Sequence, residues 1–247
     1  MIMKDINQRI KCWLEPKGFK QASPKSLFIK DQGFYFIVAS LTPHKALSGF
    51  FFDLAVKFLW STQEDVSYDY TVGNSRVYGQ EDPNPTLGGI LYNSESLESE
   101  LAYMMKEADK RIDSYMALAD CTVLLKCLEN RNDFVSVANK GFAKRDKSKA
   151  IALVLCDHAQ EAQEIFFNDS QYDSVSERLS KSCLTYDEFV RDLLDVINSL
   201  RRRLEIKLKI KLDDIDEQVL RRNYYDQPRN FENRDGAIRH RPLRYAR

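Results

Sequence analysis

FFFDLAVKFLW, the stretch Phe50–Trp60, is the longest apolar cluster of the chain and the part of the sequence that decides its fold. Every even-numbered position carries a large apolar side chain, whereas the odd-numbered positions include Asp53 and Lys57 among apolar neighbours. Successive side chains of a β-strand point to opposite faces of the sheet, so the alternation predicts one long strand. Because the second face is also mostly apolar, we expect this strand to lie centrally and to be covered on both faces.

The residues before the central strand predict a helix followed by a β-hairpin. Asp5–Leu14 places apolar side chains at helical spacing, and Pro16 ends the pattern. Period-two runs at residues 27–29 and 34–39 then flank a turn at residues 31–33. Two such runs around a glycine-containing turn are typical of a hairpin.

The residues after the central strand extend the sheet. Residues 65–72 alternate polar and apolar side chains, and a turn at Gly73-Asn74 leads back through Val77 and Tyr78. The alternation predicts a second hairpin with one face in water. We therefore expect an antiparallel meander of about five strands, followed by a loop at residues 81–89.

From Asn93 onward the apolar pattern has a helical period. A first helix carries one stripe along its length, and a shorter one follows Asp120. Further helices are predicted at residues 134–145, 148–167 and 187–200. The stripe of the first helix consists of Leu97, Leu101, Met104, Ala108, Ile112 and Tyr115.

Residues 204–212 are compatible with two structures. LEIKLKIKL alternates strictly, as an edge strand does, yet Leu204, Leu208 and Leu212 also form a helical stripe. Lys, Leu and Glu favour helices, and the absence of Gly and Pro from residues 187–227 favours the helix.

These patterns together predict an α+β protein. An N-terminal helix packs on an antiparallel meander sheet, and a mostly α-helical C-terminal half follows. The predicted division is a helix-plus-sheet sub-domain at residues 1–88, a helical sub-domain at 89–222 and a C-terminal tail at 223–247.

Composition restricts the class of protein. Lys and Arg together equal Asp and Glu at 37 each, so no global charge directs the chain to nucleic acid or to an anionic membrane. The N-terminus lacks the apolar run of a secretion signal, and no window approaches the length of a membrane helix. The five cysteines are dispersed and odd in number. We therefore expect a cytoplasmic protein with reduced thiols and no membrane contact.

No motif for catalysis, for a metal or for a cofactor stands out. His158, Glu161 and Glu164 share a helical face but lack the further ligands of a carboxylate metal site. Glu205 and Lys207 match the end of a metal-dependent nuclease core only if they lie on a strand. Neither a phosphate-binding glycine loop nor a nucleophile elbow occurs in the sequence. The sequence therefore predicts no cofactor and no metal, and it favours a non-enzymatic role while leaving an enzymatic activity open.

The C-terminal tail is the main candidate for partner binding. Residues 221–247 hold eight Arg against three acidic residues, an excess of five positive charges, interleaved with aromatic rings. Such a segment can bind nucleic acid, dock into an acidic groove of a protein partner, or fold back on the acidic remainder of its own chain. The predicted partner-binding residues are Arg221, Arg222, Tyr224, Tyr225, Arg229, Arg239, Arg241, Arg244 and Tyr245.

Three runs near the N-terminus carry a resemblance to a known family. LEPKGFK at Leu14–Lys20, LFIK at Leu27–Lys30 and FYFIV at Phe34–Val38 resemble a bacterial family of uncharacterised domains, domain of unknown function 4304. The resemblance covers residues 4 to 130, approximately. It implies an α+β fold and a bacterial origin, and it brings no activity and no site residues.

The functional expectation combines these observations. We expect a non-enzymatic bacterial protein-interaction module, an accessory or immunity-type partner in a multi-protein system, with a protein partner or self-association. The alternative is a nucleic-acid-associated accessory protein that binds through Arg201–Arg203, Arg221, Arg222 and the tail.

Overall fold

The computed structural model describes residues 2–60, 66, 68–79, 89–92, 95–129, 149, 151–153, 156 and 186–212. Within these residues the helices are α1 (Ile2–Leu14), α2 (Leu97–Met116), α3 (Cys121–Glu129) and α4 (Tyr186–Leu208). The strands are β1 (Lys20–Gln21), β2 (Leu27–Asp31), β3 (Tyr35–His44), β4 (Gly49–Phe58), β5 (Arg76–Val77) and β6 (Ile90–Leu91). The predicted α+β architecture is confirmed.

The strands form one antiparallel sheet in the order β1-β2-β3-β4-β5, with β6 pairing the start of β4. The longest ladder joins β3 to β4 and runs from Tyr35 opposite Phe58 to His44 opposite Gly49. All ten residues of β4 are buried. The prediction of a central strand covered on both faces is therefore confirmed.

The predicted strand at residues 65–72 is wrong for the residues described there. Only one bridge, between Tyr70 and Val56, links this segment to β4. The carboxylate of Asp69 accepts the backbone N–H of Phe58 at 3.0 Å, so a side chain replaces the next main-chain ladder bond. An alternating sequence does not reveal that a side chain will replace a main-chain hydrogen bond, because the replacement depends on where β4 lies.

Helices α1 and α2 contact the face of the sheet that carries the even-numbered side chains of β4. The ring of Trp13, on α1, lies 6.0 Å from the ring of Phe52, on β4. From α2, the hydroxyl of Tyr115 donates to the carbonyl of Leu54 and accepts the N–H of Val72, both at 3.2 Å. Five of the six predicted stripe residues of α2 are buried: Leu101, Met104, Ala108, Ile112 and Tyr115.

Contacts group the described residues into two units. The first contains those within residues 1–58, 63–117 and 203–212, and the second contains those within 59–62, 118–202 and 213–247. Helix α2 thus belongs with the sheet, whereas the sequence-based division at residue 88 placed it with the later helices. Its buried stripe against β4 is the reason.

The end of α4 shows which structure residues 204–212 adopt. The chain is helical to Leu208, and Leu204 and Leu208 are buried while Ile206 is exposed. Lys209 takes a positive φ of 53°, and the N–H of Ile210 donates to the carbonyl of Glu205. This is a common way for a helix to end. The helical prediction is confirmed for residues 204–208, and residues 209–212 lie beyond the end of the helix.

Hydrogen bonds join the end of the first unit to the edge of its sheet. The N–H of Ser23 donates to the carbonyl of Leu208 at 2.8 Å, and Lys20 Nζ donates to the carbonyl of Lys211 at 2.7 Å. An edge strand offers unpaired backbone groups that invite aggregation. In this chain β1 is only two residues long and is bonded to the segment that follows α4.

Cys121 and Cys156 form a disulfide, with Cα atoms 5.6 Å apart and a sequence separation of 35. The expectation of reduced thiols throughout is therefore wrong for this pair. Their spacing matched no motif because the pairing depends on how distant segments pack. Cys12 is an exposed free thiol and Cys127 a half-buried one.

Candidate functional site

Charged and hydroxyl side chains gather on the sheet face opposite α1 and α2. On β4 they come from the odd-numbered positions, where Asp53 lies across from Ser40 of β3 and from Arg76 of β5. Lys57 lies across from Phe36 of β3. The strand alternation that buries the even-numbered side chains under the helices therefore turns these polar groups to the second face.

Lys57 and Asp69 form a buried ion pair. Lys57 Nζ lies 3.4 Å from Asp69 Oδ2, and the two side chains are 0% and 5% exposed. Removing a charge from water is costly unless an opposite charge and hydrogen bonds compensate it. Asp69 provides the opposite charge and also binds the N–H of Phe58. The pair therefore fixes the segment of Asp69 against the end of β4 and offers no surface to a substrate.

Asp53 and Arg76 form a second, more open ion pair. Arg76 Nε lies 3.6 Å from Asp53 Oδ1, and Ser75 Oγ donates to the same oxygen at 3.3 Å. The guanidinium carbon of Arg76 lies 3.7 Å from the ring centroid of Phe51, a cation–π distance. Burial raises the pKa of Asp53, and the charge of Arg76 opposes that shift. These contacts hold Arg76 flat against the sheet.

A phenol and an alcohol complete the polar cluster, which we define as Ser40, Asp53, Tyr68, Ser75 and Arg76. The hydroxyl oxygens of Ser40 and Tyr68 lie 2.6 Å apart, and either can donate. Burial raises the pKa of Tyr68 to about 12, against the opposing effect of its hydrogen bond to Ser40. The phenol therefore stays protonated at neutral pH and acts as a hydrogen-bonding group.

The raised pKa of Tyr68 predicts a pH dependence of stability. The folded chain holds the phenolic proton more firmly than the unfolded chain, so this contribution is complete below pH 10.0 and is lost as the pH rises to about 12. We expect wild-type stability to fall more steeply over that interval than the stability of Tyr68→Phe. Denaturant unfolding measured at each pH tests this. Ser40→Ala, which keeps the phenol, should retain the steep fall, and equal slopes for wild type and Tyr68→Phe would contradict the assignment.

Only some of the sites predicted from sequence lie among the described residues. The nine partner-binding residues of the tail and the group His158, Glu161 and Glu164 lie outside the described residues. Glu205 and Lys207 lie on a helix, so they cannot form the strand motif of a nuclease core. Among the described residues, no group of three or more His, Cys, Asp or Glu side chains could hold a metal ion.

The burial of Arg201 corrects the prediction that residues 201–203 form one exposed basic run. Its side chain is buried, at 3% exposure, whereas Arg202 and Arg203 are exposed. A guanidinium in that position cannot reach a phosphate backbone. The helical period of α4 puts position 201 on the same face as Ile197, which is also buried.

The end of α4 presents a second candidate surface, the basic face, which consists of Arg203, Ile206, Lys207 and Lys209. All four residues are exposed, and Ile206 is 80% exposed. Residues three and four apart are neighbours on a helix surface, so Arg203 lies beside both Ile206 and Lys207. Glu205 turns aside and accepts the N–H of Leu212 at 2.6 Å.

Sequence reasoning missed the ion pairs although their signal was visible. Asp53 and Lys57 stood at inward positions of an otherwise apolar strand, where a charged side chain needs a partner. The partners Arg76 and Asp69 come from segments whose register with β4 no local pattern defines.

Comparisons with protein family models, with curated proteins and with solved structures found no match. The resemblance to domain of unknown function 4304 stays a prediction. Within the described parts of the chain, no helix combines the length and apolarity needed to cross a membrane.

Proposed function

We propose that this chain is a non-enzymatic protein-interaction module, an accessory or immunity-type partner in a bacterial multi-protein system of the cytoplasm. The observation that carries the proposal is the exposure of Ile206 at the centre of the basic face. Among the described residues four large hydrophobic side chains are exposed, and Ile206, at 80%, is twice as exposed as Val72, Tyr103 or Met116.

The position of Ile206 suits a docking residue. A helix that binds a groove does so through apolar anchors on one face, and Arg is enriched at protein interfaces. The backbone under Ile206 is held by the bonds from Ser23 and Lys20 to the end of α4 and the residues after it. A preordered anchor loses little conformational entropy when it binds.

The polar cluster and the buried pair of Lys57 and Asp69 support the same interpretation. Asp53 is satisfied by Arg76 and Ser75, Tyr68 by Ser40, and Lys57 by Asp69. These groups engage one another inside the fold, within the sheet whose edge is hydrogen-bonded to the end of α4 and the residues after it. The tail residues, Arg221 to Tyr245, extend the proposed partner contact.

Ile206→Asp tests the proposal. We expect the wild-type chain to co-purify with a stoichiometric protein partner, and Ile206→Asp to weaken that complex at least about tenfold, because an acidic group cannot fill an apolar pocket. Met116→Ser, which changes another exposed apolar side chain, is the matched control and should bind normally. A chain truncated after residue 222 shows how much of the affinity for the partner the tail contributes. Equal binding by Ile206→Asp and wild type would contradict a role for this face.

The exposed cations of the basic face favour one alternative, a nucleic-acid-associated accessory role. Binding to phosphates releases counterions, so affinity would fall steeply with salt. Changing Arg203, Lys207 and Lys209 to Gln would lower the salt slope by about one for each phosphate that the protein no longer neutralises, and Ile206→Ser would leave the affinity unchanged. Salt-insensitive binding would exclude this alternative.

A further inference from the structure

In the second unit, α3 is attached at its start to Cys156 and at its end to Lys149. Cys121 is bonded to Cys156, and Glu129 Oε1 lies 3.4 Å from Lys149 Nζ. The first residue of α3 thus contacts the later of these two residues, and the last residue of α3 contacts the earlier one. Residues 151–153 are helical and buried.

The two attachments differ in strength. The Glu129 carboxylate is 63% exposed, and an exposed ion pair contributes little because water and salt screen it. The disulfide closes a loop that spans 35 residues of sequence, which removes conformational freedom from the unfolded chain. The covalent bond is therefore the stronger of the two ties on α3.

Neither cysteine of the disulfide is fully buried. Cys121 and Cys156 are each partly exposed, unlike the fully buried Leu124 and Leu128 of α3. Exchange of a disulfide requires that a thiolate reach one of its sulfurs. Disulfides of proteins that work in a reducing compartment are usually transient or redox-sensing, and such a compartment is expected for this chain.

We propose that Cys121 and Cys156 form a reversible redox site that takes low-molecular-weight monothiols and controls the attachment of α3. A reagent thiolate attacks one sulfur, forms a mixed disulfide and expels the other cysteine as a thiolate, which takes a proton from water. A second reagent thiolate then attacks the mixed disulfide. Two reagent thiols become one reagent disulfide, and the protein gains two thiols. Oxidised glutathione drives the reverse reaction.

The test uses the full chain carrying Cys12→Ser, Cys127→Ser and Cys183→Ser, equilibrated with mixtures of reduced and oxidised glutathione and labelled with a maleimide. Cys12 is replaced because its exposed thiol would itself form a mixed disulfide with glutathione. By intact mass, we expect neither label nor bound glutathione under oxidising mixtures and two labels per chain under reducing mixtures. Hydrogen exchange of the amides of α3 should rise at least about tenfold on reduction, while that of β3 and β4 stays unchanged.

Cys121→Ser separates redox control from a general loss of folding. This variant should show the fast exchange of α3 at every glutathione ratio, with β3 and β4 still protected. Bound glutathione on the chain under fully oxidising mixtures would show that the disulfide does not form. No label at any ratio would show a permanent structural bond, and a change of label count without faster exchange of α3 would show that the bond does not hold the helix. Each of these results overturns the proposal.

Discussion

Lys57→Met is expected to lower the free energy of unfolding by about 3–5 kcal/mol, the usual cost of removing one partner of a buried ion pair. The substitution keeps the length and apolar volume of the side chain, so it removes the charge and leaves little cavity. Asp69 then keeps its hydrogen bond from Phe58 but loses the ammonium 3.4 Å away. Urea unfolding followed by circular dichroism measures the loss.

Two further variants show whether charge compensation is the cause. The double variant Lys57→Met with Asp69→Asn removes both charges, and the Asn oxygen can still accept the N–H of Phe58. We expect it to regain most of the lost stability, because it leaves no unpaired charge buried. Lys110→Met removes a cation from the exposed pair with Glu107 and should change stability by less than about 0.5 kcal/mol. A cost for Lys57→Met as small as that of Lys110→Met would contradict the buried pair.

Gly49→Ala is expected to cost about 3 kcal/mol, at the upper end of the usual range for overpacked positions. A Cβ at position 49 would lie 2.4 Å from the carbonyl oxygen of Ile90 and 3.3 Å from the Cα of Leu91. Both atoms belong to the backbone of β6, which cannot move away without losing its pairing with β4. Denaturant unfolding gives the cost, and faster hydrogen exchange of the Tyr92 amide, which donates to Ser48, locates it.

Gly73→Ala is the matched control for Gly49→Ala. Gly73 has a φ of 71°, and a Cβ there would meet nothing within 4 Å. The expected cost is about 1 kcal/mol, from the left-handed backbone conformation alone. If both variants cost the same, the close approach of β6 to β4 at Gly49 is not what requires glycine there.

Lys57→Met and Gly49→Ala both act on β4, the strand that contributes Asp53 to the polar cluster. Lys57→Met loosens the segment of Asp69, and that segment includes Tyr68. Gly49→Ala acts at the opposite end of the strand. Neither changes the basic face directly, so a folded population of either variant should bind the proposed partner normally. If Ile206→Asp loses binding while its stability is unchanged, the basic face, and not the stability of the sheet, is what the partner requires.

The sequence by itself determined those features that depend on local periodicity. The alternation in Phe50–Trp60 predicted a central strand covered on both faces, and every residue of β4 is buried. The apolar stripe of α2 and the end of α1 near Pro16 followed from spacing and from the missing N–H of proline. Helical propensity favoured the structure that residues 204–208 adopt.

Only the tertiary structure decided which distant groups meet. The partner of Lys57 is Asp69, that of Asp53 is Arg76, and Cys121 bonds to Cys156 across 35 residues. An alternating pattern shows which face a side chain occupies, but the register between strands and the packing of helices set its neighbour. For the same reason residues 65–72 looked like a strand, while the carboxylate of Asp69 takes the place of a ladder bond. The local sequence was thus enough to predict the central strand, whereas the partners of the charges on its second face depend on how the chain folds.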